Sequence, residues 1–135
     1  MSTPASRVLL VDDDPVIVRL LEVNFRLEGF AIETASRGDE AVERATASPP
    51  DAVVCDVMMP GVDGYEVCRM FRQTPELARV PFVFLTARQQ EEARLAELGD
   101  LVAMIAKPFD PAELVATVRR LIEESVAGST GGGPA

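Results

Sequence analysis

Short apolar runs alternate along the chain with longer segments in which apolar residues recur at helical spacing. This alternation predicts an α/β domain built on a parallel sheet. Four of the five apolar runs are nearly continuous, which is typical of strands covered on both faces. The second run mixes Ile32 with Glu33 and Thr34, which suits a sheet edge. The predicted strands are Arg7–Asp12, Phe30–Ala35, Ala52–Asp56, Pro81–Thr86 and Val102–Ala106.

Signals for helix starts occupy the intervals between these strands. Asp14-Pro15 and Asp110-Pro111 each pair an N-cap residue with a proline in the first helical turn. The tetrapeptide Ser36-Arg37-Gly38-Asp39 resembles a capping box. The predicted helices are Pro15–Glu28, a helix from this box to about Ala47, Gly64–Arg72, roughly Gln89–Leu98, and Pro111 to about Ser125. We therefore expect one domain over residues 6–125, and a disordered, glycine-rich tail or linker over residues 126–135.

Carboxylates collect at the ends of two predicted strands. Asp12, Asp13 and Asp14 follow the first strand, and Asp56 ends the third. Because unpaired like charges repel and are costly to bury, a bound divalent cation is the simplest explanation. A small set of carboxylate oxygens suits Mg²⁺, which points to phosphate chemistry. The sequence thus predicts a cation site where these two strand ends meet.

The position of these acids favours one strand order. A dinucleotide-binding domain needs a glycine fingerprint after its first strand, where this chain is acidic, and a P-loop is also missing. In the flavodoxin-like order 2-1-3-4-5, the ligand crevice lies between the C-terminal ends of strands 1 and 3. We therefore predict a doubly wound, five-stranded parallel sheet with helices on both faces.

Composition excludes several classes of function. The 22 acidic residues exceed the 13 basic ones and give a formal charge of −9, which disfavours direct binding to nucleic acid or to anionic membranes. The chain has no histidine, so it cannot contain a Ser-His-Asp triad, a histidine zinc site or a phosphohistidine. Cys55 and Cys68 are expected to be buried thiols, and without a signal peptide or membrane span we expect a cytoplasmic protein.

Over roughly residues 6–125 the chain resembles the receiver domain of two-component response regulators. Four motifs carry the resemblance, and each falls at the C-terminal end of a predicted strand. They are Val-Asp-Asp-Asp-Pro at 11–15, Asp-Val-Met-Met-Pro-Gly-Val-Asp-Gly at 56–64, Leu-Thr-Ala at 85–87 and Lys-Pro-Phe at 107–109. The resemblance implies a switch that accepts a phosphoryl group from a histidine kinase or a phosphotransfer protein.

By this resemblance, Asp56 is the nucleophile that accepts the phosphoryl group, a role that carboxylates can fill. Asp13 and Asp56 would ligate Mg²⁺ directly, together with the backbone carbonyl of Met58. Asp12 would act largely through metal-bound water. Positioning and electrostatic neutralisation would then supply most of the catalysis, as is usual in phosphoryl transfer.

The remaining motifs imply roles around the phosphoryl group. Lys107 would pair with the acceptor carboxylate and later with the phosphoryl group, while the Thr86 hydroxyl and the Ala87 amide would bind its oxygens. Met58 and Arg88 occupy the positions that tune phosphoryl lifetime in the family. Many receivers have an aromatic switch residue three positions before the lysine, where this chain has Met104. A thioether can repack but cannot swing a ring between two positions.

The first predicted helix has more apolar residues than one buried face requires. Receivers are docked by their kinases along this helix, so we predict that Val16, Leu20 and Val23 form a kinase-facing patch. The alternative is a broad face directed at the core. Output would pass through contacts of the fourth helix, fifth strand and fifth helix with an effector protein, and the same face could form a phosphorylation-linked dimer.

Two other functions remain open at this level. A receiver-like interaction module could act without phosphorylation, although such modules usually lose an acid or the lysine. A Mg²⁺-dependent phosphohydrolase with an aspartyl-phosphate intermediate would need a second aspartate two residues after the nucleophile, where this chain has Met58. Both alternatives therefore fit the residues less well than the phosphoryl-accepting switch.

Overall fold

The computed structural model describes residues 5–87 and 95–131, which include one five-stranded, all-parallel sheet. Its strand order is β2-β1-β3-β4-β5, as the sequence predicts. Each strand also lies within one residue of its predicted bounds. The strands are β1 (Arg7–Val11), β2 (Ala31–Ala35), β3 (Ala52–Asp56), β4 (Phe82–Thr86) and β5 (Val102–Ala106).

Burial along the strands follows the hydrophobic pattern. Every residue of β3 and β4 is buried, because helices cover both faces of the central sheet. The edge strand β2 is half-buried from Ala31 to Thr34, in agreement with its mixed sequence. The carboxyl ends of all five strands lie at one end of the sheet because the strands are parallel.

Four numbered helices connect or follow the strands within the described part of the chain. They are α1 (Pro15–Leu27), α2 (Gly38–Ala47), α3 (Gly64–Arg72) and α4 (Pro111–Gly131), and a short 3₁₀ helix, Pro75–Leu77, was not predicted. The helix predicted over roughly Gln89–Leu98 falls mostly outside the described residues; Leu95 and Ala96 are helical.

Helix α4 corrects one prediction. It ends at Gly131, whereas the sequence suggested an end near Ser125 and a disordered tail from residue 126. The prediction rested on the glycine-rich, linker-like composition of residues 128–135. A single glycine in a helix costs only about 1 kcal/mol relative to alanine, and Val126 and Ala127 continue the helix up to it. Residues 132–135 lie outside the described part of the chain.

The start of α2 also differs from its prediction. Its N-cap is Arg37, which makes no side-chain capping hydrogen bond, so the predicted Ser36–Asp39 capping box is wrong. Instead, the Glu40 carboxylate accepts hydrogen bonds from the Ser36 amide (2.7 Å) and hydroxyl (3.3 Å). The side chain that reaches back to the preceding residues therefore lies one position later than in the predicted box.

Two apolar clusters fill the space on the two faces of the sheet. One packs α2 and α3 against the sheet and contains Tyr65, Phe71, Phe82 and Phe84. The other packs α1 and α4 against the opposite face. Cys55 and Cys68 are buried free thiols, as predicted. No helix in the described ranges has the length and apolar character that crossing a membrane requires.

Candidate functional site

Three carboxylates converge at the carboxyl end of the sheet. Asp12 and Asp13 directly follow β1, and Asp56 ends the neighbouring strand β3. One carboxylate oxygen from each residue lies within 4.8 Å of the others. Asp12 and Asp56 are only 2% and 5% exposed, whereas Asp13 is exposed. The sequence prediction that these acids share one site is consistent with this geometry.

Lys107 brings a positive charge to the three acids. It follows β5, and its Nζ lies 3.1 Å from Asp56 Oδ1 and 3.9 Å from Asp12 Oδ2. Its backbone N–H donates to the Thr86 carbonyl at 2.8 Å, which fixes the lysine to the end of β4. The Lys107–Pro108 peptide bond is cis. Lys107 is the only lysine in the whole sequence.

Asp12 is the acid of this cluster whose pKa is raised by its surroundings. Burial is the largest cause that raises the pKa of Asp12, from 3.8 to about 6. A hydrogen bond from the Asp14 amide opposes this increase in pKa, whereas the nearby charge of Asp56 adds to it. The environment of Asp12 therefore makes its ionised form less favourable than in water, and a nearby cation would offset this cost.

The two oxygens of Asp12 have different surroundings. Oδ1 accepts a hydrogen bond from the Asp14 amide at 2.9 Å, while Asp14 caps α1 by accepting from the Val16 amide, also at 2.9 Å. Asp12 Oδ2 is buried and accepts no hydrogen bond from any described residue. A buried carboxylate oxygen without a donor, beside two further carboxylates, is a set of hard oxygen ligands that fits a divalent cation such as Mg²⁺.

The loop after β3 is held close to Asp56. The Gly64 amide donates to the Val57 carbonyl at 3.0 Å, and Asp63 caps α3 by accepting from the Glu66 amide. A Cβ added at Gly64 would lie 2.5 Å from the Asp56 carbonyl oxygen. Only glycine fits this approach, a requirement at Gly64 that the sequence alone does not reveal.

Comparison with known proteins now decides the family. The family model for the response regulator receiver domain matches residues 8–119. The chain belongs to the response regulator receiver domain family. This assignment agrees with the strand order and with the convergence of the acids and the lysine at the carboxyl end of the sheet.

Two curated relatives of this receiver domain are named as transcriptional regulatory proteins. It is 38% identical over 120 residues to the phosphate regulon transcriptional regulatory protein PhoB of Rhizobium meliloti, with 88% of this chain and 53% of the relative covered. The corresponding identity is 40% over 121 residues for the alkaline phosphatase synthesis transcriptional regulatory protein PhoP of Bacillus subtilis, covering 88% and 49%. The chain thus spans about half the length of these curated relatives.

Solved receiver structures share its fold. The receiver domain of the sensor histidine kinase PA1611 from Pseudomonas aeruginosa, which has a magnesium ion in its active-site cleft, is 32% identical with a TM-score of 0.78; the match covers 88% of this chain and 98% of that one. The chemotaxis protein CheY4 of Vibrio cholerae is 28% identical with a TM-score of 0.81, covering 87% and 98%.

The other predicted site residues of the receiver follow β3, end or follow β4, or lie on β5. Thr86 is buried at the end of β4, and the exposed Ala87 follows it. Met58 is 58% exposed, two residues after Asp56. Met104 on β5 is half-buried and packs against the apolar cluster beneath α3. Arg88 lies outside the described residues.

The predicted docking patch of the receiver is on the solvent side of α1. Val16 is 73% exposed, Leu20 45% and Val23 46%, whereas Leu21 and Phe25 on the same helix are buried. The alternative of a single broad face directed at the core is therefore wrong. An apolar row that faces solvent on a surface helix is available for contact with another protein.

Proposed function

We propose that Asp56 accepts a phosphoryl group from a histidine kinase or a phosphotransfer protein. The observation that carries this proposal is the position of the Asp56 carboxylate between two further acids and Lys107. This arrangement offers a nucleophilic oxygen together with oxygen ligands for a cation and a fixed ammonium group. Phosphoryl transfer needs such electrostatic neutralisation more than it needs covalent help.

Mg²⁺ is the cation that the acidic cluster suits best. Asp13, Asp56 and the Met58 carbonyl would ligate it directly, with Asp12 acting through water. Asp12 Oδ2 accepts no hydrogen bond and lies 3.9 Å from Lys107 Nζ, and the pKa of Asp12 is about 6; both features support this assignment, since they indicate that further positive charge is favourable at this position. When bound, the ion supplies neutralisation of the negative charge on the phosphoryl oxygens.

In the proposed transfer, a carboxylate oxygen of Asp56 forms a bond to phosphorus as the bond between phosphorus and the donor histidine nitrogen breaks. The imidazole leaves with the electron pair of that bond. Lys107, 3.1 Å from Asp56 Oδ1, would pair with the phosphoryl oxygens once the acylphosphate forms. The Thr86 hydroxyl and the Ala87 amide would donate to the remaining oxygens, and Met58 and Arg88 would tune how long the acylphosphate lasts.

The donor protein would dock along the row Val16, Leu20 and Val23, which is exposed on α1. Asp14 caps this helix by accepting from the Val16 amide, and its own amide donates to Asp12. Asp14 therefore links the docking row to the acidic cluster by hydrogen bonds. Phosphorylation would then change contacts with an effector protein on the face formed by the fourth predicted helix (roughly Gln89–Leu98), β5 and α4, the fifth predicted helix. Because Met104 lacks a ring, the shift of Thr86 toward the phosphoryl group would be transmitted by repacking of a thioether.

Intact-mass measurement tests the acceptor. The wild-type chain, incubated with Mg²⁺ and acetyl phosphate, should gain one phosphoryl group, and the gain should disappear in chelator. Asp56→Asn should abolish it, because an amide is a poor nucleophile. Asp100→Asn, which changes an exposed carboxylate in the turn before β5, is the matched control and should be phosphorylated like the wild type. A wild type that binds Mg²⁺ but accepts no phosphoryl group from acetyl phosphate or from a kinase would contradict the proposal and favour a phosphorylation-independent module.

A further inference from the structure

The first turn of α2 packs directly against the loop that follows the acceptor. Gly38, the first residue of α2, is buried. A Cβ added at Gly38 would lie 3.2 Å from Val62 Cβ in the loop between β3 and α3, and 2.8 Å from Val67 Cγ2 on α3. The second distance is shorter than real Cβ contacts, so an added methyl group must displace its neighbours. No positive φ is recorded for Gly38, so steric contact, rather than backbone conformation, requires glycine here.

The same loop is fixed to Asp56 on its other side. Gly64 follows Val62 by two residues, and a Cβ there would lie 2.5 Å from the Asp56 carbonyl oxygen and 3.0 Å from Val57 Cα. Between these two contacts, Asp63 is held by its hydrogen bond from the Glu66 amide at 2.9 Å. Because the residues that follow Val62 are held this closely, we expect a displacement of Val62 to shift the backbone of Asp56 as well.

We infer that Gly38 is a positioning residue for the acceptor, and that it acts through its contact with Val62. The contact sets the path of the Val57–Asp63 loop and thereby the position of the Asp56 carboxylate and the Met58 carbonyl. This inference deepens the proposed function, and only its kinetic test depends on phosphorylation. It also makes the packing of α2 a control point for phosphoryl acceptance, although α2 contributes no side chain to the acceptor cluster.

The surroundings of Gly38 explain why the contact transmits force. Val62 and Val67 are β-branched, so their side chains have few alternative rotamers into which they could withdraw. Val67 is fully buried in the apolar cluster that also contains Ala41 and Ala45 of α2. Close-packed interiors respond to added volume by shifting neighbouring groups. Val62, in the acceptor loop, is only partly buried against this cluster, so it can be displaced more easily than Val67.

The test compares Gly38→Ala with a rescue variant and a control. Alanine alone favours helix over glycine, so without crowding it would stabilise α2. We expect instead that Gly38→Ala slows phosphorylation of Asp56 by acetyl phosphate about tenfold, since small displacements of reacting groups reduce rates by large factors. The double variant Gly38→Ala/Val67→Ala removes the atom at 2.8 Å, which lets the added methyl group move toward Val67 and away from Val62, and should recover most of the rate. Ala45→Gly, further along α2 than Gly38, controls for a general change in the stability of this helix.

A second measurement is independent of phosphorylation. In ¹⁵N-correlated NMR spectra of the metal-free proteins, the amide signals of Asp56, Val57 and Met58 should shift in Gly38→Ala and return toward wild-type positions in the double variant. Ala45→Gly should leave those signals in place. If Gly38→Ala proves too unstable to purify, Val62→Ala removes the Cγ atoms of the loop residue, one of which lies 3.2 Å from a Cβ built at Gly38, and should move the same signals. Unchanged amide signals and an unchanged rate in Gly38→Ala would overturn the inference. Shifted signals in Gly38→Ala, together with a wild type that never accepts a phosphoryl group, would refute only the proposed function.

Discussion

At the scale of single residues, Asp12 shows how the site is strained without a cation. Its side chain is buried beside Asp56, one of its oxygens has no hydrogen-bond donor in the described structure, and its pKa is about 6. The folded protein therefore binds a proton at Asp12 more tightly than the unfolded chain does. Two strand ends bring these acids together, so the sequence could predict the cluster, but the pKa depends on burial that only the folded structure reveals.

Asp12→Asn should stabilise the metal-free protein. The amide keeps the oxygen that accepts from Asp14 and removes the buried charge. A pKa of about 6 instead of 3.8 corresponds to about 3 kcal/mol, so we expect a gain of about 1–3 kcal/mol at pH 7 in chelator. Because the raised pKa belongs to an acid, the wild-type penalty develops as pH rises from about 4 to 6, and the gain should vanish below pH 4.

Denaturant unfolding at pH 4, 5.5 and 7 measures this difference in the free energy of unfolding. Asp13→Asn is the matched control, because it makes the same change of charge at an exposed member of the cluster. Its effect should stay within about 0.5 kcal/mol, as for most exposed substitutions. Equal effects of the two substitutions, or a gain for Asp12→Asn that does not change with pH, would contradict the assignment of the strain to buried Asp12.

At the scale of elements, patterns of period and punctuation predicted the helices and strands well. Continuous apolar runs located β3 and β5 to the residue, and Asp14-Pro15 located the start of α1. An error arose at the end of α4, where glycine-rich composition suggested a disordered tail but the helix continues past Gly128 to Gly131. Which apolar residues of α1 face solvent also depends on the sheet. The buried Leu21 and Phe25 and the exposed Val16, Leu20 and Val23 all recur at helical spacing, and only their contacts differ.

The exposed row of α1 leads to a prediction about donor specificity. Val16→Asp places a charge on a residue that is 73% exposed, so stability should change by less than about 0.5 kcal/mol. If kinases dock on this row, phosphotransfer from a histidine kinase that phosphorylates the wild type should slow at least tenfold, while phosphorylation by acetyl phosphate stays unchanged. Comparing the two donors separates lost docking from a damaged acceptor site.

Ala116→Asp is the matched control, since it adds the same charge to an exposed position of α4. It should leave both rates near wild type. A Val16→Asp variant that takes a phosphoryl group from the kinase at the wild-type rate would show that the row on α1 does not carry docking. Loss of both rates would instead indicate that the substitution distorts the first turn of α1 and, through the hydrogen bonds of Asp14, moves Asp12.

At the scale of the whole molecule, topology creates the site. Asp12, Asp56 and Lys107 are distant in sequence, and the strand order 2-1-3-4-5 places their strand ends together. The sequence could predict this convergence because the strand order and the residues at the strand ends could both be inferred from it. The contacts of Gly38 with Val62 and of Gly64 with Asp56 could not be predicted, since they depend on how closely two helices approach one loop.

The net charge of −9 and the acidic cluster together predict how the whole domain responds to Mg²⁺. A cation that binds only the folded state stabilises it by about 1.4 kcal/mol at ten times its dissociation constant, which should raise the unfolding midpoint by about 3–6 °C. A highly charged chain also gains stability from salt alone, so the titration must hold ionic strength constant with KCl.

Asp12→Asn should start from a higher midpoint in chelator and lose most of the response to Mg²⁺, because the charge that destabilises the metal-free site is the one that attracts the ion. Equal Mg²⁺ responses in the two proteins would mean that general screening, and not the cluster of Asp12, Asp13 and Asp56, accounts for the stabilisation.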